Sequence, residues 1–247
     1  MSAVRSASGV GATVLCAGFA LVGCATTQQA AVRVQLNSAR IRASERPTTV
    51  RVRGRALNVM HVALIEGRGG SAIVVRLHNP GSRSVSDLPI SVGFRKGAAR
   101  GRPLNRRSSA EFSYFESHVP VVGAGTTVDW VYATRRHAPA GARPYAIVGG
   151  RASVRAPRLG APPVIGASLQ RGGVGARATV ALQNRSSIPQ YQLQVYAVAR
   201  RGRRYLAAGA LTVAHLGSGG HRTVEVPIVG DPGRIRPKLE AIPTITS

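Results

Sequence analysis

A serine, a histidine and a carboxylate brought together are the parts of an acyl-transfer site, and Glu116-Ser117-His118 sets those three residue types side by side. Successive side chains on a strand point to opposite faces, so Ser117 is expected to turn away from both neighbours. No GxSxG elbow occurs to expose a serine at a strand-to-helix turn. Metal chemistry needs ligands clustered at reachable spacing. His61, His78, His118, His137, His215 and His221 form neither an HExxH motif nor an i, i+2 strand pair. His215 and His221 flank the turn Gly217-Ser218-Gly219-Gly220 and read as two solvated loop histidines. Gly67-Arg68-Gly69-Gly70-Ser71-Ala72 superficially fits a dinucleotide fingerprint. The β-branched run Ile73-Val74-Val75 follows it, where phosphate binding requires a helix N-terminus. A hairpin turn is expected there, and no catalytic residue, metal or cofactor is assigned.

Charge offers recognition instead of catalysis. The chain has 247 residues, with 34 Lys and Arg against 9 Asp and Glu, for a formal charge of +25. Such a field attracts anions with strong salt dependence, and the candidates are phospholipid headgroups, anionic wall polymers and nucleic acid. Every cation except Lys96 and Lys238 is arginine, and the chain is also rich in Ala and Gly, which a GC-rich genome encodes by default. The 4% aromatic content argues against a stacking platform for single strands. Two basic turns stand out, Arg95-Lys96-Gly97 and Arg200-Arg201-Gly202, extended by Arg100, Arg102, Arg106 and Arg107 in the first and by Arg203 and Arg204 in the second. They are candidate anion contacts, and equally charged tips that keep hairpins soluble.

Gly97 to Val128 spans 31 positions where Gly202 to Val224 spans 22, and the nine extra residues surround Phe112, Tyr114 and Phe115, close to Trp130 and Tyr132. Rings beside an insertion are a candidate aromatic patch. Alternation places Phe112 with Tyr114 and Trp130 with Tyr132 on shared strand faces, and burial is the favoured expectation.

The elements that must position these residues are strands, and they come twice. Leu64 to Gly97 matches Leu169 to Gly202 without a gap at an offset of 105, with Val75 on Val180, Leu77 on Leu182, Asn79 on Asn184 and Gly97 on Gly202. Ile73, Val75 and Leu77, like Ala178, Val180 and Leu182, project to one face, so each strand is expected to have one apolar and one wet face. Further strands are expected at Leu88 to Phe94 and Tyr191 to Ala199, at Thr127 to Trp130 and Thr223 to Val226, and after Arg143-Pro144 and Arg236-Pro237. Short alternating strands with Gly or Pro turns, in units of about 100 residues, predict an all-β protein of two tandem immunoglobulin-like β-sandwich domains.

The amino terminus supplies an address. Gly9 to Val22 is an uncharged apolar run of about 14 residues, whereas a membrane-spanning helix needs roughly 20. It closes on Leu21-Val22-Gly23-Cys24, which resembles the bacterial lipobox. That resemblance implies cleavage before Cys24, acylation of its thiol and a cell-membrane anchor facing outside the cytoplasm. Cys16 would be discarded, leaving Cys24 as the one thiol and no intrachain disulfide. The strand, Asn-led turn, strand and basic hairpin order resembles the FxLYD-like and CARDB-like bacterial immunoglobulin-type modules, which implies an adhesion, assembly or binding role. The expected organisation is a signal peptide over 1–23, lipidated Cys24 and tether over 24–50, domains over 51–156 and 164–247, and a Pro-rich linker over 157–163. The expected function is a non-enzymatic, lipid-anchored cell-envelope binding, adhesion or assembly module. The alternatives are an electrostatic adaptor for anionic wall polymer or lipid headgroups through Arg95, Lys96, Arg200, Arg201, Arg203 and Arg204, and an accessory subunit of an envelope enzyme or transporter.

Overall fold

A computed structural model describes residues 49–97, 99–106, 114–150, 165–174 and 177–244. Cys24, the tether up to residue 48, Arg107, Phe112 and the linker 157–163 lie outside the described residues.

Alternating apolar residues broken by Gly, Pro and Asn turns produce strands throughout, and no α-helix occurs among the described residues. The first half contains β1 (Asn58–Gly67), β2 (Gly70–His78), β3 (Leu88–Lys96), β4 (Ala99–Arg100), a 3-10 turn (Tyr114–Glu116), β5 (His118–Val119), β6 (Thr127–Thr134) and β7 (Arg143–Val148). The second contains β8 (Ile165–Val174), β9 (Arg177–Asn184), β10 (Gln190–Arg201), β11 (Arg204–Leu216), β12 (His221–Pro227), β13 (Val229–Gly230) and β14 (Lys238–Ile242). Pairing is antiparallel in four sheets. The orders β1-β2-β6 and β12-β9-β8 correspond between halves, as do β3, flanked by β7, β4 and β5, and β13-β11-β10-β14.

The duplication reaches the backbone. Asp87 (φ 57°) and Gln192 (φ 53°) are both left-handed, 105 residues apart, as are Gly97 (φ 60°) and Gly202 (φ 58°). A non-glycine residue in this region costs about 1–2 kcal/mol, so its recurrence marks a shared kink at the start of β3 and β10. Asn79 and Asn184, exposed by 1% and 0%, do matching work. Asn79 Nδ2 donates to the carbonyls of Arg83 (2.8 Å) and Gly123 (3.0 Å), and Asn184 Nδ2 to those of Ile188 (2.8 Å) and Gly217 (2.9 Å). Their Oδ1 atoms accept from Gly81 N and Ser186 N, both at 3.0 Å. Each amide thus ties the turn after one strand to the loop that leads into its neighbouring strand, β6 for Asn79 and β12 for Asn184.

The halves differ where the insertion falls. The 13-residue β11 runs beside β10, a strand that sequence periodicity does not announce because it is rich in Ala and Gly. Beside β3 the equivalent edge is covered by β4, β5 and irregular chain. There Asn105 Oδ1 accepts from Val92 N (3.0 Å), and Asn105 Nδ2 donates to the carbonyls of Ile90 (2.7 Å) and Glu116 (2.9 Å).

One expectation is corrected in β2 and β10. Ile73, Val75 and Leu77 do share a face, with Tyr132, Trp130 and Val128 opposite them on β6, and pack against Leu88, Ile90 and Val92 of β3. The other face is not wet: Ala72 and Val74 are fully buried. The same holds for β10, where Leu193, Val195 and Ala197 face β9 and β12 while Tyr196 and Val198 are buried on the opposite side. The reason is that the β1-β2-β6 sheet lies against the β11-β10-β14 sheet, so Tyr196, Val198, Ala208 and Ile242 join the core of the first half. Two faces that would need polar residues in separate domains are dry in this stack. Each large apolar side chain buried there contributes about 1.5–3 kcal/mol. The sheet on the far side keeps the expected pattern, with Thr179, Ala181 and Gln183 half-exposed.

Close approach at the seam depends on glycine. Gly230, at φ 90°, would place a Cβ 2.3 Å from the Leu206 carbonyl oxygen and 2.6 Å from Ile65 Cγ2. Gly67, across from it, would place one 2.6 Å from Gly230 N.

Candidate functional site

The Ser117 expectation is overturned in its geometry. Ser117 leaves a 3-10 turn and does not sit within a strand, so its side chain does not alternate away from His118. Its Oγ lies 3.1 Å from His118 Nδ1 and donates to the Tyr114 carbonyl at 3.2 Å. His118 Nδ1 also lies 3.1 Å from that carbonyl. A carbonyl only accepts, so the tautomer that satisfies this contact carries its proton on Nδ1 and leaves that nitrogen no lone pair with which to activate Ser117. Ser117 is 3% exposed and His118 8%. The His118 ring stacks on Tyr114 at 3.8 Å, and the arrangement closes a turn.

The aromatic cluster is core. Tyr114 and Phe115 are buried and meet edge to face at 5.1 Å. Tyr114 lies in the 3-10 turn, not on a strand, so the strand face proposed for it does not exist. Trp130 and Tyr132 do share a face, stacked at 6.4 Å. Burial pushes the Tyr132 phenol up to about 12, and its hydroxyl donates to the Leu104 carbonyl at 3.1 Å. Tyr114 and Phe115 therefore offer no exposed binding patch.

His215 and His221 are exposed and separated onto different sheets, opposite Tyr191 and Gln183 respectively. No group of three or more His, Cys, Asp or Glu side chains positioned to hold a metal ion occurs among the described residues.

The basic turns survive as surface features and gain a relationship. Arg95, Lys96, Arg200, Arg201, Arg203 and Arg204 are all exposed. Both turns are left-handed at their glycine, which lets β3 and β10 end in tight reversals. Arg201 pairs with Arg204 across the β10–β11 hairpin, and Arg95 pairs with Arg143 across β3 and β7. Like charges directly opposite on neighbouring strands are unfavourable, and none of these four guanidinium groups has an ion pair among the described residues.

The packing of the two halves opens a groove beside the second basic turn. An open groove of about 610 Å³ runs between β1 and the start of β11, lined by His61 to Glu66, by Arg203, Arg204, Tyr205 and Leu206, by Asp231, and by Pro144, which follows Arg143. Its floor is built from the seam. Tyr205 stacks on His61 at 5.6 Å and donates from its hydroxyl to Asp129 Oδ1 at 3.0 Å. Arg76 Nη1 reaches the same carboxylate at 3.4 Å, and Asp129 N donates to Glu240 Oε2 at 3.1 Å. Glu240 in turn receives Lys238 Nζ. The hydrogen bond to Tyr205 raises the Arg76 guanidinium further above its ordinary value. Burial raises the Tyr205 phenol, partly offset by Arg76. The two carboxylates on the groove wall are engaged locally: Glu66 Oε1 accepts from Ala138 N (3.1 Å) and Asp231 Oδ1 from Gly233 N (2.8 Å).

Sequence reasoning found the hairpin arginines but missed Arg143, His61 and Tyr205. Arg143 reads only as the residue before a strand-opening proline, and the groove lined by His61 and Tyr205 is made by sheet packing that no local pattern encodes.

No protein-family model matches the chain, and a search of curated proteins finds no match.

Proposed function

We propose that this chain is a lipid-anchored envelope protein, acylated on Cys24, whose body is two immunoglobulin-like sandwiches serving without catalysis as a binding or assembly platform. The address is supported by the apolar run closing on Leu21-Val22-Gly23-Cys24. The sandwich reading is supported by matching three-stranded sheets and matching kinks in both halves.

The observation that carries the platform reading is the shared core, in which Tyr196, Val198, Ala208 and Ile242 of one half pack with Ile65, Val74 and Val131 of the other. Modules fused through a dry face hold a fixed relative orientation, so side chains from both act as one surface. A flexible tandem would lose that advantage to ordering entropy on binding.

The test is metabolic labelling with a radioactive fatty acid, alongside the mass of the mature protein. The wild-type chain is expected to incorporate label and lose residues 1–23. Cys24→Ala is expected to incorporate none and to leave the membrane fraction or accumulate uncleaved. A wild-type protein that retains residues 1–23, or that remains unlabelled, would overturn the anchor.

A further inference from the structure

We infer that the groove between β1 and the β10–β11 hairpin is a binding site for a linear phosphate-bearing polymer of the envelope, gripped by Arg203 and Arg204 and extended by the Arg95–Arg143 pair next to Pro144. This rests on the proposed location of the body outside the cytoplasm, and it names the ligand class of that platform.

Three observations converge. The first is the pair of like-charged cross-strand contacts, Arg95 with Arg143 and Arg201 with Arg204. Each is unfavourable in the protein alone and becomes favourable when an anion bridges the two guanidinium groups. The two contacts lie on different strand pairs, one in each half, and each stands close to a left-handed glycine. The second is placement: Arg203 and Arg204 line the groove together with Pro144, whose chain neighbour Arg143 is paired with Arg95. The third is the floor. Tyr205 is held by Asp129 and stacked on His61, which leaves a fixed surface along which a chain can run.

The shape and position of the site favour a polymer over a membrane surface. An open groove admits a strand of linked charges, whereas a bilayer presents a plane. Val50 N donates to Ser91 Oγ at 2.8 Å, so the described chain enters beside the middle of β3. The basic tip is five residues further along that strand, about 17 Å away at ~3.3 Å per residue. Arginine also suits phosphate, because its planar fork donates in pairs.

The test uses the full-length chain in detergent micelles, with long-chain inorganic polyphosphate as the probe and binding read by fluorescence anisotropy across a salt series. Wild type is expected to bind with a steep negative slope of log affinity on log salt. Changing Arg95, Arg143, Arg203 and Arg204 together to Ala is expected to weaken binding at least tenfold and to flatten that slope by about 3, roughly 0.7 per lost contact. A control that removes the same charge elsewhere, Arg51, Arg53, Arg83 and Arg234 to Ala, is expected to bind within threefold of wild type. Equal loss in both variants would show attraction by net charge without a site and would overturn the proposal. So would anionic phospholipid vesicles or duplex DNA outcompeting polyphosphate at matched charge. Circular dichroism of each variant reports folding, and the anchor is unaffected by these substitutions, so this result and the labelling result stand apart.

Discussion

At the residue scale the chain is organised by a few buried amides. Asn79 and Asn184 each satisfy several backbone groups that would otherwise be stranded inside, and an unsatisfied buried carbonyl or N–H costs about 1–3 kcal/mol. Asn184→Ala is therefore expected to lower stability by about 2–4 kcal/mol, read as a shift in the denaturant midpoint at unchanged slope. The match of Asn79 to Asn184 was visible in the repeat, and so was its place at the end of a strand. The loops those amides reach were not, because Gly123 and Gly217 lie 44 and 33 residues away. Ser117 teaches the converse. Its neighbours were legible as letters, but a 3-10 turn in place of a strand reversed its expected orientation, and the shared Tyr114 carbonyl then removed its use as a nucleophile.

At the scale of elements, strand existence followed from alternation while strand surroundings did not. Leu88, Tyr145 and Lys238 mark strands whose composition is decisive, and β11 escaped notice because Ala and Gly carry little periodic signal. The short β13 shows why a glycine can matter more than a strand's length. Its Gly230 abuts the Leu206 carbonyl and Ile65, so Gly230→Ala combines a left-handed backbone with a clash. That change is expected to cost about 2 kcal/mol or more, measured by thermal unfolding, and to disturb the groove that Asp231 helps line.

At the scale of the whole molecule the two halves are expected to unfold as one. Trp130 is the chain's single tryptophan and lies fully buried in the first half, whereas Val226 is buried in the separate core of the second. Val226→Ala removes two methyl groups and is expected to destabilise by about 1–3 kcal/mol. If the shared core couples the halves, Trp130 fluorescence and far-UV circular dichroism will shift together by the same amount. A Trp130 transition that stays at its wild-type midpoint would mean that the halves melt independently.

The amino-acid sequence by itself determined that this is a β protein, that its pattern comes twice, and that each copy carries a cluster of cations at one turn. Those properties depend on the period of apolar residues and on the turn chemistry of Gly, Pro and Asn, which act over a few residues. Only the tertiary structure decided that the second faces of β2 and β10 are dry, that Tyr114 and Phe115 are core, and that Arg203, Arg204 and Tyr205 line a groove against β1. Each of those outcomes depends on which sheet meets which, and Tyr196 or Val74 looks the same in sequence whether its face meets water or another sheet.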